Sequence, residues 1–384
     1  MNRLLVLALL GMAACSNDYT FPGGEVEFES ADPGDVGTWL SLDTSPDGLE
    51  MTMAYYDRVQ GALMYAVGTS TASGGWTWTY EKVDGWAGSN GLDPGDRGKY
   101  ASQRTAPDGT VWLAYADANG GLWVGHRTGG PVWVVEQADS VGGAWASLAL
   151  DAAGNPVIAH QDPTKGTLRV TRRSDNAWTT EEAFLGQLFN GTDADGNPVL
   201  RPAAAGQFAD LEISDGGERV AFYDGAWQEL VLIEGGEGAW QSSVVDGASA
   251  TAAGHVENAG AWPQVVVVGG EVRIAYQDVG TQNLRYATRS GTDWKLETVD
   301  PTAWRGADTV LFERNGQPAI VYQDGYDTNQ ILAEKQANGS WKITKLAGDE
   351  GAVGFHNEVV AIGGKTWVGS YDFTHHGLVL LALE

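Results

Sequence analysis

Seven aspartates close short apolar phrases along this sequence, and their carboxylates are its first candidates for chemistry. Each is followed by a turn and a second apolar run, and neighbouring aspartates stand 45 to 62 residues apart. Gathered on one face, they would form a polar rim able to bind cations. An aspartate at a tight turn also caps backbone N–H groups, and recurrence in every unit favours this structural role. The seven are Asp57, Asp117, Asp162, Asp224, Asp278, Asp324 and Asp372.

Mostly bulky residues precede these phrases at equivalent places and offer flat faces for a sugar. They are Trp39, Tyr100, Trp145, Phe208, Trp262, Ala307 and His356. Sugar C–H faces stack on aromatic rings, while their hydroxyls need polar partners nearby. The alternative is that the rings pack between repeats. The predicted ligand-binding set is Trp39, Tyr100, Trp145, Trp262 and His356 with the polar Asp162, Gln277 and Asp372.

The last repeat is the richest in ionisable side chains. His356, Glu358, Asp372, His375 and His376 could meet on one face as a metal or acid–base cluster. His375 and His376 are adjacent, however, and adjacent strand residues point to opposite faces. A pair exposed in a loop is therefore the favoured interpretation.

One loop has the side-chain pattern that begins a calcium loop. Asp193, Asp195 and Asn197 place oxygen ligands at alternate positions. The pattern then departs from a full calcium loop, since Pro198 stands where glycine is needed. Calcium is thus the one cofactor suggested, and a plain turn is the favoured alternative.

The elements that would position these residues are four short strands per repeat. The strand-like segments are bounded by Gly, Asn, Asp or Pro and are rich in β-branched and aromatic residues. Small residues such as Ala114 and Ala159 recur in the second strand, and tryptophans such as Trp178 and Trp240 in the fourth. This gradient suits wedge-shaped units, so we predict an all-β fold, a seven-bladed β-propeller of four-stranded antiparallel blades.

The ends of the chain predict how the ring of blades is closed. The last repeat has three strands, and residues 24–32 resemble a fourth strand without a blade. Pairing them would complete the ring and remove two open edges. Residues 24–384 then form one propeller domain, with blades at 37–86, 98–140, 143–184, 205–247, 260–300, 306–347 and 354–384. Long connections at 84–99, 185–205 and 246–261 would share the ligand-bearing face.

The N-terminus is similar to the export signal of bacterial lipoproteins. A positive start and the apolar run 4–10 precede Met12-Ala13-Ala14-Cys15, which resembles a lipobox. The resemblance implies a signal peptide at 1–14, acylation of Cys15 and a lipidated tether at 15–23. Anchoring in a bilayer would follow, and Ser16 favours the outer membrane. An ordinary signal peptide with a chance cysteine is the alternative.

The net charge limits the class of partner. At −27, it argues against nucleic acid as a partner of the body of the protein. We therefore expect a monomer that meets a glycan or an envelope protein.

The hairpin turns resemble those of the sialidase-like propeller superfamily. Thr105-Ala-Pro-Asp108-Gly109-Thr-Val-Trp112 comes close to the Asp-box of that family, with its glycine one place early. The enzymes of that family also need three arginines and a Tyr–Glu pair, and no arginine here recurs at an equivalent first-strand place. The resemblance therefore covers architecture without catalysis. We expect a membrane-anchored binding or scaffolding propeller, the alternative being a glycosidase or lyase with its site in a central funnel.

Overall fold

The computed structural model describes residues 35–72, 74–86, 95–192, 196–214 and 217–383, and every regular element among them is a β-strand. Seven antiparallel sheets are arranged as the blades of a β-propeller, as predicted. In each blade the strands pair in chain order, so every blade is a simple meander. The structure thus confirms the all-β fold and the seven blades.

The strands of the first three blades have the following bounds: β1 Val36–Thr44, β2 Glu50–Asp57, β3 Ala62–Ser70, β4 Trp76–Gly85, β5 Arg97–Thr105, β6 Thr110–Asp117, β7 Leu122–Thr128, β8 Val134–Asp139, β9 Ala144–Leu150, β10 Pro156–Asp162, β11 Thr167–Ser174 and β12 Ala177–Phe184. A separate hairpin follows, formed by β13 Phe189–Thr192 and β14 Pro198–Arg201.

The remaining blades contain β15 Gln207–Ser214, β16 Gly217–Asp224, β17 Glu229–Gly235, β18 Gln241–Asp246, β19 Ala259–Val268, β20 Glu271–Asp278, β21 Asn283–Arg289, β22 Trp294–Asp300, β23 Arg305–Arg314, β24 Gln317–Asp324, β25 Asn329–Lys335, β26 Trp341–Ala347, β27 Phe355–Ile362, β28 Lys365–Asp372 and β29 Gly377–Leu383. The predicted blade spans agree with these bounds to within a few residues. The hairpin β13–β14 was not predicted, because residues 185–205 were interpreted as a plain connection.

The first strand of each blade lies nearest the axis. These seven strands pack side by side in the order β1, β5, β9, β15, β19, β23 and β27, and β27 packs against β1 again. Two faces result. We call upper the face that carries the connections from fourth to first strands and from second to third strands. The lower face carries the other connections.

The fourth strands hold the tryptophans at the outer edge. The indole N–H of Trp178 donates to Glu136 of the preceding blade, at 2.8 Å, and the Arg173 guanidinium lies 5.9 Å from the Trp178 ring. Trp240 donates to Glu181 of its neighbour in the same way. These indoles tie adjacent blades together, so their role is structural.

Buried tyrosines join blades nearer the axis. The hydroxyl of Tyr276 donates to Asp246 at 2.6 Å, and that of Tyr322 donates to Asp300 at 2.7 Å. Each aspartate closes the fourth strand of the preceding blade. Charge-assisted bonds of this kind are short and strong, so they fix the angle between blades.

The first and last blades share one apolar core. Leu40 and Leu42 of β1 pack with Val360, Trp367 and Leu380 of the last blade. Asp35 accepts a 2.5 Å hydrogen bond from the hydroxyl of Tyr371. The predicted closing strand at 24–32 lies outside the described residues, as do the predicted signal peptide, Cys15 and the tether. Within the described ranges, no helix is long and apolar enough to cross a membrane.

Candidate functional site at the axial ring

The seven repeating aspartates hold turns. The Asp162 carboxylate accepts the backbone N–H groups of Thr164 and Lys165, at 3.0 and 3.1 Å. The other six make equivalent bonds within their own turns. The turn-capping interpretation is confirmed, because these carboxylates mainly accept hydrogen bonds from backbone N–H groups of their own turns.

A second set of seven residues adopts a backbone conformation that its side chains disfavour. One residue in each first strand has φ between 47° and 56°. Bulky residues rarely occupy this left-handed region, which costs roughly 1–3 kcal/mol for each non-glycine residue. Such strain concentrates at functional sites. The seven are Trp39, Tyr100, Trp145, Phe208, Trp262, Asp308 and His356.

A glycine two places earlier lets each first strand approach the preceding blade. Gly260 has φ +115°, and a β-carbon there would lie 2.6 Å from the Leu230 Cα. Gly98 is equivalent, with a β-carbon 2.8 Å from the Leu63 Cα. Four of these strands show two successive register shifts, the first at the glycine and the second containing the strained residue. Together the glycine and these shifts aim the strained side chain.

Each first strand around the axis contributes one of these strained residues, and we call the set the axial ring. Along one arc, ring centroids are 5.2 Å apart for Trp39 and Tyr100 and 4.9 Å for Tyr100 and Trp145. The series continues at 4.2 Å to Phe208 and 4.7 Å to Trp262. All these residues are half-buried.

A carboxylate and an imidazole complete the axial ring. His356 Nδ1 lies 4.0 Å from the Asp308 carboxylate, and the His356 ring lies 5.7 Å from that of Trp39. Burial lowers the pKa of His356 and raises the pKa of Asp308. The prediction of Ala307 at this place was wrong by one residue. Gly306-Ala307-Asp308 matches Gly260-Ala261-Trp262, and the glycine is the signal that sets the alignment.

Below the axial ring, oxygen-bearing side chains tie the first strands together. In six of the seven blades, the residue two places after the ring member accepts a backbone N–H of the next blade, as Ser102 does from Leu148 at 3.0 Å. In the remaining blade, the sixth along the chain, Val310 occupies this place. The acceptors are Ser41, Ser102, Ser147, Asp210, Gln264 and Glu358. This layer was missed from the sequence, although its oxygen-bearing residue types recur there.

Two carboxyl groups of this layer are strongly perturbed. Burial raises the pKa of Asp210 to about 7 and that of Glu358 to about 8. The charge of Asp210 raises the pKa of Glu358 further, while Arg104 opposes both shifts. The two groups therefore share one axial environment. Each is half-buried, so the space beneath the axial ring holds weakly acidic carboxyls.

The predicted ligand-binding residues divide into two groups. Trp39, Tyr100, Trp145, Trp262 and His356 come together in the axial ring, along with Phe208. The polar members lie apart at the ends of second strands. Gln277 is 6% exposed and donates to the Arg305 carbonyl, and Asp162 and Asp372 are each 2% exposed. Their polar atoms serve turns and blade contacts.

The ionisable residues of the last blade do not converge. His375 bonds to Asp372 at 2.7 Å, His376 lies 3.7 Å from Asp35, and His356 belongs to the axial ring. No group of three metal-binding side chains occurs in the part of the chain that the structure describes. For the calcium prediction, Asp193 and Asp195 lie outside that part, while Asn197 precedes β14 in the inserted hairpin.

Exposed aromatic side chains surround the axial ring on the upper face. Among the described residues, five large aromatic side chains are exposed, and each lies in a different connection of this face. They are Trp86, Trp227, Trp304, Tyr326 and Phe373, at 47%, 38%, 51%, 76% and 53% exposure. The lower face exposes aliphatic residues such as Leu49 and Val132. The five, which we call the rim aromatics, give the upper face separate flat platforms.

Comparison with known proteins supports the fold. No protein-family model matches the sequence, and the search of curated proteins gave no match. Among solved structures, a triple arginine-to-alanine variant of AofleA from Arthrobotrys oligospora is similar, with 13% identity over 81% of this chain and 89% of that chain, and a TM-score of 0.50.

Two further structures cover most of the chain. A putative 6-phosphogluconolactonase from Bacteroides uniformis has 11% identity over 80% of this chain and 85% of that chain, with a TM-score of 0.50. The Aleuria aurantia lectin, described with a six-bladed β-propeller fold and fucose recognition, has 15% identity over 79% and 93%, with a TM-score of 0.46. At such identities the two structures with a TM-score of 0.50 show a likeness of fold alone. The propeller architecture and its blade number follow from the sheets of this chain.

Proposed function

We propose that this protein is a glycan-binding propeller of the bacterial cell envelope, held at the outer membrane by an acylated Cys15. The observation that carries the ligand-binding proposal is the arrangement of aromatic residues on the upper face. Its axial ring is maintained despite an unfavourable backbone conformation, and its rim exposes five aromatic side chains. Backbone strain is concentrated at functional sites, and aromatic side chains commonly line ligand-binding sites.

A glycan suits this surface better than a protein partner does. The rim aromatics lie in five separate connections of the upper face. Isolated flat rings fit the C–H faces of sugar units, whereas a protein interface needs a continuous buried centre.

A glycan array tests the proposal, with wild type and Trp304→Ala compared. Trp304 is 51% exposed, so its loss should weaken the bound signal without unfolding the protein. The matched control is Leu49→Ala on the lower face, where the side chain is 67% exposed. Specific binding reduced by Trp304→Ala alone supports the proposal. An array without specific binding contradicts it.

The anchoring proposal rests on the lipobox-like segment and has its own test. Wild type should incorporate labelled palmitate and partition with membranes, whereas Cys15→Ala should do neither. A Cys15→Ala variant that still incorporates the label and stays with membranes refutes acylation at this position.

A second candidate function is hydrolysis or elimination on a polysaccharide. Asp210 and Glu358 favour it, since carboxyls with pKa near 7 can act as general acids. Both nevertheless accept a backbone N–H, as the serines of neighbouring blades do. Turnover of a polysaccharide by wild type, lost in Glu358→Gln, would establish the enzyme. Turnover unchanged in Glu358→Gln would exclude this residue as the acid.

A further inference from the structure

We propose that the axial ring accepts a positively charged alkylammonium group, with Asp308 as its counter-ion. The inference deepens the proposed function, on which it rests, because it names the chemical group that the axial ring would take from a ligand. If the axial ring consisted of aromatic residues alone, it would accept many apolar groups. The carboxylate of Asp308 among its members favours a cationic group.

The aromatic arc has the composition of a cation–π cage. Three tryptophans, one tyrosine and one phenylalanine follow one another in contact around the axis, with centroids 4.2 to 5.2 Å apart. The π face of an aromatic ring is negative and attracts cations, most strongly in tryptophan. The arc therefore combines three residues of the type that attracts cations most strongly with a tyrosine and a phenylalanine.

Asp308 supplies the charge that a neutral sugar would not require. Its carboxylate shares the axial ring with His356, whose lowered pKa keeps the imidazole neutral near pH 7. Asp308 accepts the backbone N–H of His356, and burial disfavours its negative form. A bound ammonium group would compensate the negative charge of the Asp308 carboxylate, which the neutral imidazole of His356 does not do.

Other cations of the upper face are engaged elsewhere. Five arginines there pair with carboxylates of strand ends at 2.8 to 3.1 Å. The pairs are Arg58–Asp35, Arg97–Asp84, Arg169–Asp139, Arg285–Asp246 and Arg305–Asp324. The net charge of −27 also favours cationic over anionic ligands for the protein as a whole.

Choline and its neutral isostere 3,3-dimethylbutan-1-ol provide the test, because they share a shape and differ in charge. Calorimetric titration of the wild type should give choline a Kd of roughly 1–10 mM, with the isostere at least about fivefold weaker. Asp308→Asn should weaken choline about five- to tenfold, since asparagine also tolerates the left-handed backbone. The control Asp327→Asn removes an exposed carboxylate of the same face and should leave affinity within about twofold.

Equal affinity for choline and the isostere, or no choline binding up to about 50 mM, would overturn the inference even if the Asp308 variant failed to fold. So would unchanged affinity in a folded Asp308→Asn. Glycan binding on the array without choline binding would refute this inference and leave the proposed function intact. Choline binding without specific binding on the glycan array would refute the proposal of a glycan ligand and leave this inference intact.

Discussion

At the scale of single residues, the axial ring combines strain with chemistry. Its members occupy φ values that glycine would adopt without cost, yet five of them are aromatic. The layer below holds two carboxyl groups whose pKa values lie near neutrality. The surrounding strands hold both features in place, and both lead to predictions about individual side chains.

The first prediction concerns the pH dependence of stability. The folded-state pKa values of Asp210 and Glu358, about 7 and about 8, exceed those of an unfolded chain. The folded protein therefore binds more protons than the unfolded chain between about pH 4 and pH 8, and its stability falls as pH rises across this range. The free energy of unfolding from urea titrations at pH 5 and pH 8 measures this fall.

The double variant Asp210→Asn, Glu358→Gln isolates the effect, since both amides keep an oxygen for the backbone N–H. The fall in unfolding free energy from pH 5 to pH 8 should shrink by roughly 2 kcal/mol. If the unfolding free energy of the double variant fell as steeply as that of wild type, the pH dependence would arise from the overall negative charge instead.

The second prediction concerns the bonds between blades. Tyr322→Phe removes the hydroxyl that donates to the buried Asp300 carboxylate, so the free energy of unfolding should fall by about 1–3 kcal/mol. Tyr326→Phe is the control, because that side chain is 76% exposed, and should change stability by less than about 0.5 kcal/mol. Equal effects in denaturant titrations would show that the Tyr322 hydroxyl does not stabilise the contact.

Much of the site followed from residue types. Six of the seven members of the axial ring were identified by their places in the repeat. Asp308 was missed because it is neither apolar nor aromatic, and the alignment slipped to Ala307. The left-handed backbone leaves little trace in the sequence, since only the glycine two places earlier marks it. The approach of Asp210 to Glu358 joins residues almost 150 positions apart, which no local pattern reveals.

At the scale of elements, the first strand is the one that creates the site. Its glycine brings the backbone against the preceding blade, and the register shift that follows contains the strained residue. Strand bounds were predictable because Gly, Asn and Asp punctuate every repeat. The hairpin β13–β14 was not, since its four-residue strands contain glycine and proline.

A glycine substitution tests this role of the first strand. Gly260→Ala should lower the free energy of unfolding by about 2–4 kcal/mol, since a β-carbon would meet the Leu230 backbone at 2.6 Å. Gly291→Ala is matched in its positive φ but meets nothing within 4 Å, so it should cost only about 1 kcal/mol. Similar losses at both positions in chemical denaturation would mean that backbone conformation, and not close approach, determines the requirement for glycine.

At the scale of the whole molecule, stability depends on closing the ring. β1 and the last blade share a core, and Asp35 bonds to Tyr371. The fourth strand predicted at 24–32 stays a prediction. Removing residues 16–32 should lower the midpoint of thermal unfolding by several degrees, because the last blade would lose a strand. An unchanged midpoint would show that the three described strands suffice.

Binding of a ligand at the axial ring is measured by calorimetric titration of the best glycan from the array into wild type and Trp145→Ala. Leu49→Ala is the lower-face control. Trp145 contacts both Tyr100 and Phe208, so its loss opens the middle of the aromatic arc. We expect a folded Trp145→Ala to bind the glycan at least about tenfold more weakly than wild type, and Leu49→Ala to bind it unchanged. Equal affinity of all three proteins would contradict binding at the axial ring.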